Sequence, residues 1–183
     1  LVKKLNLITN YTTKGLIKTT YLDREDSPVF LEIDKNHLQQ VNYPITIIPR
    51  KGNQYEVTLP EEGESPNLYN YITESVETVA PYSRPANKIL KLNEWYETPN
   101  LKFKLIQNPT PSNLGLNNII ITLVPVNQAV NSITSSLFVE FDKELSSIMV
   151  ISKTGYNLNN TVNFLNSSVD ELIKKRLTDQ NTV

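Results

Sequence analysis

The chain contains no cysteine and only one histidine among its 183 residues. Without cysteine it can form neither a disulfide nor a thiolate metal site. A single histidine, His37, cannot build the two- or three-histidine sites that hold zinc in enzymes. A Ser-His-Asp triad would need His37, yet no serine lies in a Gly-x-Ser-x-Gly turn. We therefore expect His37 to be a surface-loop residue, and we expect no catalytic residue, no metal and no cofactor.

A charge bias and a long apolar run are also missing. The formal net charge is −1, from 18 basic and 19 acidic residues, whereas a nucleic-acid-binding domain presents a basic face. No apolar run approaches the ~20 residues that cross a bilayer. The five glycines include no Gly-x-x-x-x-Gly-Lys loop for phosphate. These absences argue against nucleic acid as a partner, against a membrane span within these residues and against nucleotide binding.

Two acidic stretches, Asp23–Asp26 and Glu61–Glu64, are candidates for calcium binding. Neither has the alternating Asp/Asn spacing and the later glutamate of a calcium loop. Charge runs are usually solvated, so both stretches are predicted to be surface loops. No motif singles out a pair of carboxylates of the kind that hydrolyses glycosides, and a hydrolase stays open as a third reading.

From Pro28 onwards, short β-type runs alternate with turn residues. Val29–Asp34 alternates apolar with other side chains, and Ile119–Val126 is a continuous β-branched run typical of a buried strand. Short strands that are separated at regular intervals by turn residues favour antiparallel sheets. We predict an α+β fold, mainly antiparallel β, with seven to nine short strands in a sandwich or barrel-like sheet. Residues 1–183 are predicted to form a single domain, with residues 21–152 as its β-rich body.

Helical patterns flank this body. Apolar residues recur at steps of four, three, four and three along one stripe: Leu158, Val162, Leu165, Val169 and Leu172. With Asn157 as N-cap, the stripe predicts a long C-terminal helix over residues 157–182. Leu1, Leu5 and Ile8 have helical spacing, so residues 1–20 are predicted to contain the end of a short helix and an extended lead-in. Leu1 is not a natural start residue, so we expect further sequence upstream.

Nine tyrosines and one tryptophan make up most of the aromatic residues. Trp95-Tyr96 or the pair Tyr69/Tyr71 could stack on sugar rings. Aromatic residues are also enriched in β-cores and on sheet faces, and that interpretation is favoured for most of them. Trp95 and Tyr96 are retained as possible contacts with a glycan or with another subunit.

The C-terminal third resembles a known family. Ser147–Ser152 reads Ser-Ile-Met-Val-Ile-Ser; Tyr156-Asn157, Val162–Asn166 (Val-Asn-Phe-Leu-Asn) and Thr178–Asn181 (Thr-Asp-Gln-Asn) follow it. This order resembles the polysaccharide co-polymerases, the chain-length determinant proteins of capsule and exopolysaccharide export, where Ile-x-Ile-Ser precedes Asn-Pro-x-x-Ala-x-x-[Phe/Ile]-Leu-Asn. Two positions depart from the family pattern: Leu158 replaces a proline and Gln180 replaces a basic residue.

Two further stretches are similar to the same family. Leu1–Leu7, followed by Tyr11 and Ser27-Pro28, resembles its first periplasmic helix and the strand after it. Asn93–Asn100 with Phe103 resembles the Gly-x-Trp-x-x-Pro hairpin of forms from the Bacteroidetes group, some of which are fused to a tyrosine kinase. Together the similar stretches cover about a third of the chain.

The resemblance implies a periplasmic domain of a bacterial inner-membrane protein, with membrane contact only through flanking segments. It implies self-association into a ring, and as partners a polysaccharide polymerase, an outer-membrane export protein and the growing glycan. The domain would act as a scaffold without catalysis, and any tyrosine kinase would lie in the cytoplasm. The alternative is a secreted or surface carbohydrate-binding or adhesion β-domain with no membrane partner. Apolar spans of ~20 residues on both sides would favour the first reading.

Overall fold

The computed structural model describes residues 5–15, 19–60, 67–78, 86–110, 118–141, 148–155 and 158–180. The chain divides into two compact units. One is Ile8–Val126; the other combines Leu1–Leu7 with Asn127–Val183. The predicted β-rich body, residues 21–152, spans both units.

Fourteen strands and two α-helices occur in the described ranges: β1 Thr9–Lys14, β2 Thr19–Leu22, β3 Val29–Ile33, β4 Gln39–Gln40, β5 Pro44–Arg50, β6 Gln54–Thr58, β7 Asn67–Asn70, β8 Ser75–Thr78, β9 Lys88–Lys91, β10 Trp95–Thr98, β11 Leu101–Gln107, β12 Ile119–Leu123, α1 Val126–Thr134, β13 Leu137–Phe141, β14 Met149–Lys153 and α2 Leu158–Gln180. A 3-10 turn, Arg24–Asp26, precedes β3. Every strand pair within the described ranges is antiparallel.

The largest sheet has the strand order β2-β1-β12-β5-β6-β9. Its centre is β12, where Ile121 lies opposite Ile45 on β5 and opposite Tyr11 on β1. All three side chains are buried, which is the reason this apolar, β-branched run forms a central strand. The β5–β6 hairpin turns at Gly52 and Asn53, which both have positive φ and therefore suit a tight turn.

Two three-stranded sheets complete the first unit, with orders β10-β11-β3 and β4-β7-β8. In the first of them, residues alternate between a buried face and an open face. Leu101, Phe103 and Leu105 of β11 are fully buried, whereas Lys102 and Lys104 between them are only partly covered. This alternation places the lysines together on the open face.

The second unit contains the two-stranded β13–β14 sheet and α2. Helix α2 lies against β14 through Phe164, which is 6% exposed and whose ring lies 5.7 Å from Lys153 Nζ. Phe164 is two positions from Val162 and therefore about 200° away round the helix. The predicted apolar stripe accordingly faces elsewhere, and Val162, Val169 and Leu172 are 43%, 43% and 53% exposed.

The fold-class prediction was wrong. The structure is mostly antiparallel β, but the strands of the described residues form four sheets of six, three, three and two strands instead of one sandwich or barrel-like sheet of seven to nine. Helix α2 has 23 residues and is of moderate length, not the long helix expected. Alternation reveals individual strands, but it does not reveal which strands share hydrogen bonds, and strands of two to four residues show too little alternation to be counted.

The short N-terminal helical segment is also corrected within the described residues. Leu5–Ile8 forms a turn, and β1 begins at Thr9. Asn6 has a φ of 53°, which interrupts a right-handed helix, and the carbonyl of Ile8 accepts a hydrogen bond from Val124 N. Pairing with a distant segment thus overrides the local helical spacing. Residues 1–4 and the predicted N-cap, Asn157, lie outside the described residues.

Candidate functional site

The open face of the β10-β11-β3 sheet brings Trp95 together with five charged side chains. We call this surface the Trp95 face; it consists of Trp95, Glu97, Lys102, Lys104, Glu32 and Asp34. The strand register places Trp95 opposite Lys104, Lys104 opposite Glu32, and Glu97 opposite Lys102. Residues directly opposite each other on one face are close enough for their side chains to interact.

Trp95 is 39% exposed, and its ring lies beside two ammonium groups. Lys104 Nζ is 5.1 Å and Lys102 Nζ is 5.9 Å from the ring centroid. Both distances are within the range of cation–π attraction. The indole is therefore held in place by charged neighbours while more than a third of its surface stays open.

Each lysine on the Trp95 face also pairs with a carboxylate. Lys104 Nζ is 2.8 Å from Glu32 Oε1. Lys102 Nζ is 3.1 Å from Glu97 Oε2 and 3.6 Å from Asp34 Oδ2. The hydrogen bond to Glu97 and then the charges of Glu97 and Asp34 raise the pKa of Lys102. The backbone N–H of Asn36, followed by the charge of Lys102, lowers the pKa of Asp34.

Tyr96, the second predicted contact, lies on the opposite face of the same sheet. It is 3% exposed and stacks on Phe103 with ring centroids 5.0 Å apart. Side chains of successive strand residues point to opposite faces, so Trp95 and Tyr96 cannot share a ligand. A glycan contact at this dipeptide therefore depends on Trp95 alone.

Tyr69 and Tyr71 are core residues. Their rings meet edge to face, with centroids 4.8 Å apart. The Tyr71 hydroxyl donates to the carbonyl of Val124 at 2.9 Å, and the Tyr69 hydroxyl accepts from Val126 N at 3.4 Å. Both tyrosines thus hold the end of β12 and the start of α1, as the packing interpretation of the aromatic residues predicts.

Sequence reasoning missed the charged residues around Trp95. The alternation of Lys102 and Lys104 with apolar neighbours was visible, but it does not reveal which strand lies beside them. Glu32 is 63 positions from Trp95 and reaches the same face only through the β11–β3 register. A charge-complementary run on two predicted strands, Glu-x-Asp against Lys-x-Lys, was the available signal.

No protein-family model matches this chain, and no curated protein matches it.

The other candidate residues do not form a site in the described part of the chain. His37 Nδ1 lies 2.6 Å from the carbonyl oxygen of the adjacent Leu38. Within the described ranges no three His, Cys, Asp or Glu side chains are grouped to hold a metal ion. Glu61–Glu64 lies outside those ranges. Neither described helix combines the length and the apolar composition that crossing a membrane requires.

The Asp23–Asp26 stretch is packed more tightly than a solvated loop. Asp23 is buried, and residues Arg24–Asp26 form the 3-10 turn. Asn108 Nδ2 donates to the carbonyls of Glu25 and Ser27 at 2.7 and 2.8 Å. The prediction of a solvated surface loop is therefore wrong for Asp23, which is buried, whereas Glu25 is exposed. A distant asparagine satisfies the backbone of the turn.

Most of the exposed large apolar side chains lie in the unit that contains β13, β14 and α2, on both faces of the two-stranded sheet and along the helix. Seventeen large apolar side chains are exposed in the described residues, and twelve of them belong to this unit: Val130, Phe138, Val139, Phe141, Ile148, Met149, Val150, Val162, Val169, Leu172, Ile173 and Leu177. Contiguous exposed apolar residues mark interaction sites, and Val139 and Phe141 share one face of β13.

Proposed function

We propose that the chain is a non-catalytic interaction domain of a polysaccharide co-polymerase, which controls the length and the export of a capsular polysaccharide or exopolysaccharide. In this proposal it is the periplasmic part of a bacterial inner-membrane protein. Its subunits associate into a ring, and its partners are the polysaccharide polymerase, the outer-membrane export protein and the growing glycan.

The observation that carries the proposal is the concentration of exposed apolar side chains on the unit with the clearest family resemblance. The Ile-x-Ile-Ser motif corresponds to β14, and the Phe-Leu-Asn motif lies in the first half of α2. Phe164, the aromatic residue of that motif, anchors the helix to the strand. One motif residue, Phe164, therefore holds the unit together, while the exposed apolar residues of the unit, some of them in the motif stretches, are available for a partner.

The β13–β14 hairpin supports self-association in a second way. In the described residues it is a sheet of only two strands, and neither strand has a neighbour on its outer side. A two-stranded sheet is marginal in water without further packing, and an open, apolar edge is a site for strand addition. Val139 and Phe141 are exposed on β13, so a neighbouring subunit would cover them.

The test is a deletion of the whole reading frame in the bacterium that encodes it, followed by electrophoresis of the surface polysaccharide. We expect the deletion to change the distribution of polymer lengths and the intact gene to restore it. A gene carrying both Val139→Lys and Phe141→Lys is expected not to restore it, because two buried charges in a subunit contact cost several kcal/mol (~2–5). The mass of the purified full-length protein in detergent should fall with the same variant.

Ile89→Lys provides a matched control. Ile89 and Val139 are both 56% exposed on strands, but Ile89 lies on β9, at the edge of the six-stranded sheet. This control is expected to restore both polymer length and oligomer mass. An unchanged length distribution in the deletion strain would rule the proposal out.

The exposed indole of Trp95 favours a second candidate, a carbohydrate-binding β-domain without a membrane partner. This candidate predicts glycan binding by the purified chain and no change in polymer length on deletion. Because glycan binding is compatible with both candidates, the effect of the deletion on polymer length separates the two functions.

A further inference from the structure

Trp95 is the only tryptophan in the chain, and it lies on an open sheet face among charged groups. Tryptophan offers a large apolar ring with an N–H donor at its edge, a combination suited to ligands that have both apolar and polar faces. A pyranose ring is such a ligand, because its C–H groups form apolar patches and its hydroxyls project around the rim.

The charged neighbours of Trp95 have hydrogen-bonding capacity beyond their ion pairs. An ammonium group has three donors, and an ionised carboxylate accepts up to about four hydrogen bonds. Lys104 directs one donor to Glu32, and Lys102 is shared between Glu97 and Asp34. A sugar hydroxyl both donates and accepts, so it can insert beside such a pair and satisfy both members.

The charge balance of the face favours an uncharged sugar. Two lysines and three carboxylates give a formal charge of 2 − 3 = −1 for Lys102, Lys104, Glu32, Asp34 and Glu97. A uronate would therefore meet no net attraction. Hydroxyl groups, in contrast, need donors and acceptors in alternation, and the face supplies both.

A protein partner is less suited to the same face. Protein hot spots place an aromatic residue in a desolvated centre, and here that centre would enclose three ion pairs. Removing paired charges from water costs more than their attraction returns unless the geometry is very good. A sugar leaves the ion pairs partly hydrated, so the cost is smaller.

We propose that the Trp95 face binds an uncharged sugar residue of a glycan, which stacks on the Trp95 indole and hydrogen-bonds to the Lys104–Glu32 and Lys102–Glu97 pairs. The proposal rests on the proposed function, in which the domain meets a growing glycan, and it gives the class of sugar. One such contact is weak, but a ring of subunits repeats it, and linked weak sites bind a polymer far more tightly than one site does.

The single tryptophan provides the measurement, since the fluorescence of the purified chain reports on this face alone. The probes are hexasaccharides of β-1,4-glucose, α-1,4-glucose and β-1,4-mannose, a galacturonate hexamer, and fragments of the bacterium's own polysaccharide. We expect a saturable change with at least one uncharged probe and a weaker one with galacturonate. By calorimetry, Trp95→Leu should weaken that binding at least about tenfold and Lys104→Met about threefold to tenfold.

Tyr21→Leu is the matched control, because Tyr21 is also an exposed aromatic residue on a strand, at 58% exposure. It is expected to leave binding unchanged. The proposal is overturned if no uncharged probe binds, if galacturonate binds most tightly, or if Trp95→Leu binds as well as the parent chain while it remains folded. If no uncharged probe binds but the gene deletion changes polymer length, the sugar site is wrong and the proposed function stands. If an uncharged probe binds at Trp95 and the deletion leaves polymer length unaffected, the proposed function is wrong and the sugar site stands.

Discussion

At the scale of single residues, the side-chain amide of Gln39 extends the hydrogen bonding of two segments. Gln39 Nε2 donates to the carbonyls of Asp34 and Lys102 at 2.7 and 3.0 Å, and Lys102 N donates to Gln39 Oε1 at 3.0 Å. The residue is 0% exposed. Gln39 also belongs to β4, so it connects the sheet that contains β4 with the strand that carries both lysines of the Trp95 face.

Replacing Gln39 by leucine should lower the free energy of unfolding by about 2–4 kcal/mol, because buried backbone groups lose their partners. Gln39→Glu should be destabilising near neutral pH, because burial raises the pKa of a carboxyl group. The part of that cost that comes from the charge should shrink as the pH falls from the raised folded pKa towards the unfolded pKa of ~4.3, and it should be absent below ~4.3, where both states are protonated. Urea unfolding at pH 7 and pH 4 measures both effects.

Gln107→Leu is the control for this prediction, since Gln107 is exposed on β11. It should change the free energy of unfolding by less than about 0.5 kcal/mol. A Gln39→Leu effect as small as that would mean that water replaces the amide.

At the scale of elements, Gly155 follows β14 at a point where the side chain of Thr161 on α2 comes close to the backbone. A Cβ added to Gly155 would clash with Thr161 Oγ1. Its backbone does not require glycine, because only Gly52 among the described glycines has positive φ. The role of Gly155 is therefore close approach of strand and helix, whereas the role of Gly52 is a turn conformation.

Gly155→Ala should destabilise the β14–α2 region by about 1–3 kcal/mol, as overpacking does. Combining it with Thr161→Ala should recover most of that loss, because the two sites share one contact. Hydrogen exchange of the α2 amides measures the effect locally. Gly52→Ala is the control: its cost arises from backbone strain and should be the same with or without Thr161→Ala. If Thr161→Ala leaves the cost of Gly155→Ala unchanged, the clash with Thr161 does not explain that cost.

Individual strands and helices could be predicted from the sequence better than the way in which the strands pair. The buried β12 strand and the helix from Leu158 were both predictable from local periodicity. The pairing of β11 with β3 was not, because it depends on contacts between residues about 70 positions apart. For the same reason Trp95 could be singled out as a contact while Lys104 and Glu32 beside it could not.

At the scale of the whole molecule, buried tyrosines make stability sensitive to alkaline pH. Burial raises the pKa of Tyr11 and of Tyr71 above the usual 10.0, although the Leu31 backbone N–H partly opposes the shift at Tyr11. A raised folded pKa favours the neutral phenol in the folded state. The stabilisation that these neutral tyrosines provide is therefore fully present below pH 10. It is lost as the pH rises from 10 towards the pKa values of the tyrosines in the folded state.

Above pH 10 the free energy of unfolding should fall by up to about 1.4 kcal/mol per pH unit for each such tyrosine. Tyr71→Phe should cost about 1 kcal/mol at pH 7, because the bond to Val124 is lost, and it should make the alkaline decline less steep. Urea unfolding from pH 7 to pH 11 tests this. With Tyr21→Phe, an exposed control, the decline should match that of the parent chain; an equally steep decline in Tyr71→Phe would contradict the assignment.

The position of β12 between β1 and β5 also determines the order in which the molecule can fold. The Thr13 hydroxyl bonds to the carbonyl of Asn118, 105 positions further along the chain, and such long-range contacts slow folding because the intervening loop must close first. At ~5–20 residues per second, a ribosome needs about 5–20 s to make that interval. Strand β1 therefore has to wait for β12 before its hydrogen bonds on that side can form, and until then the nascent chain carries β1 with that edge unpaired.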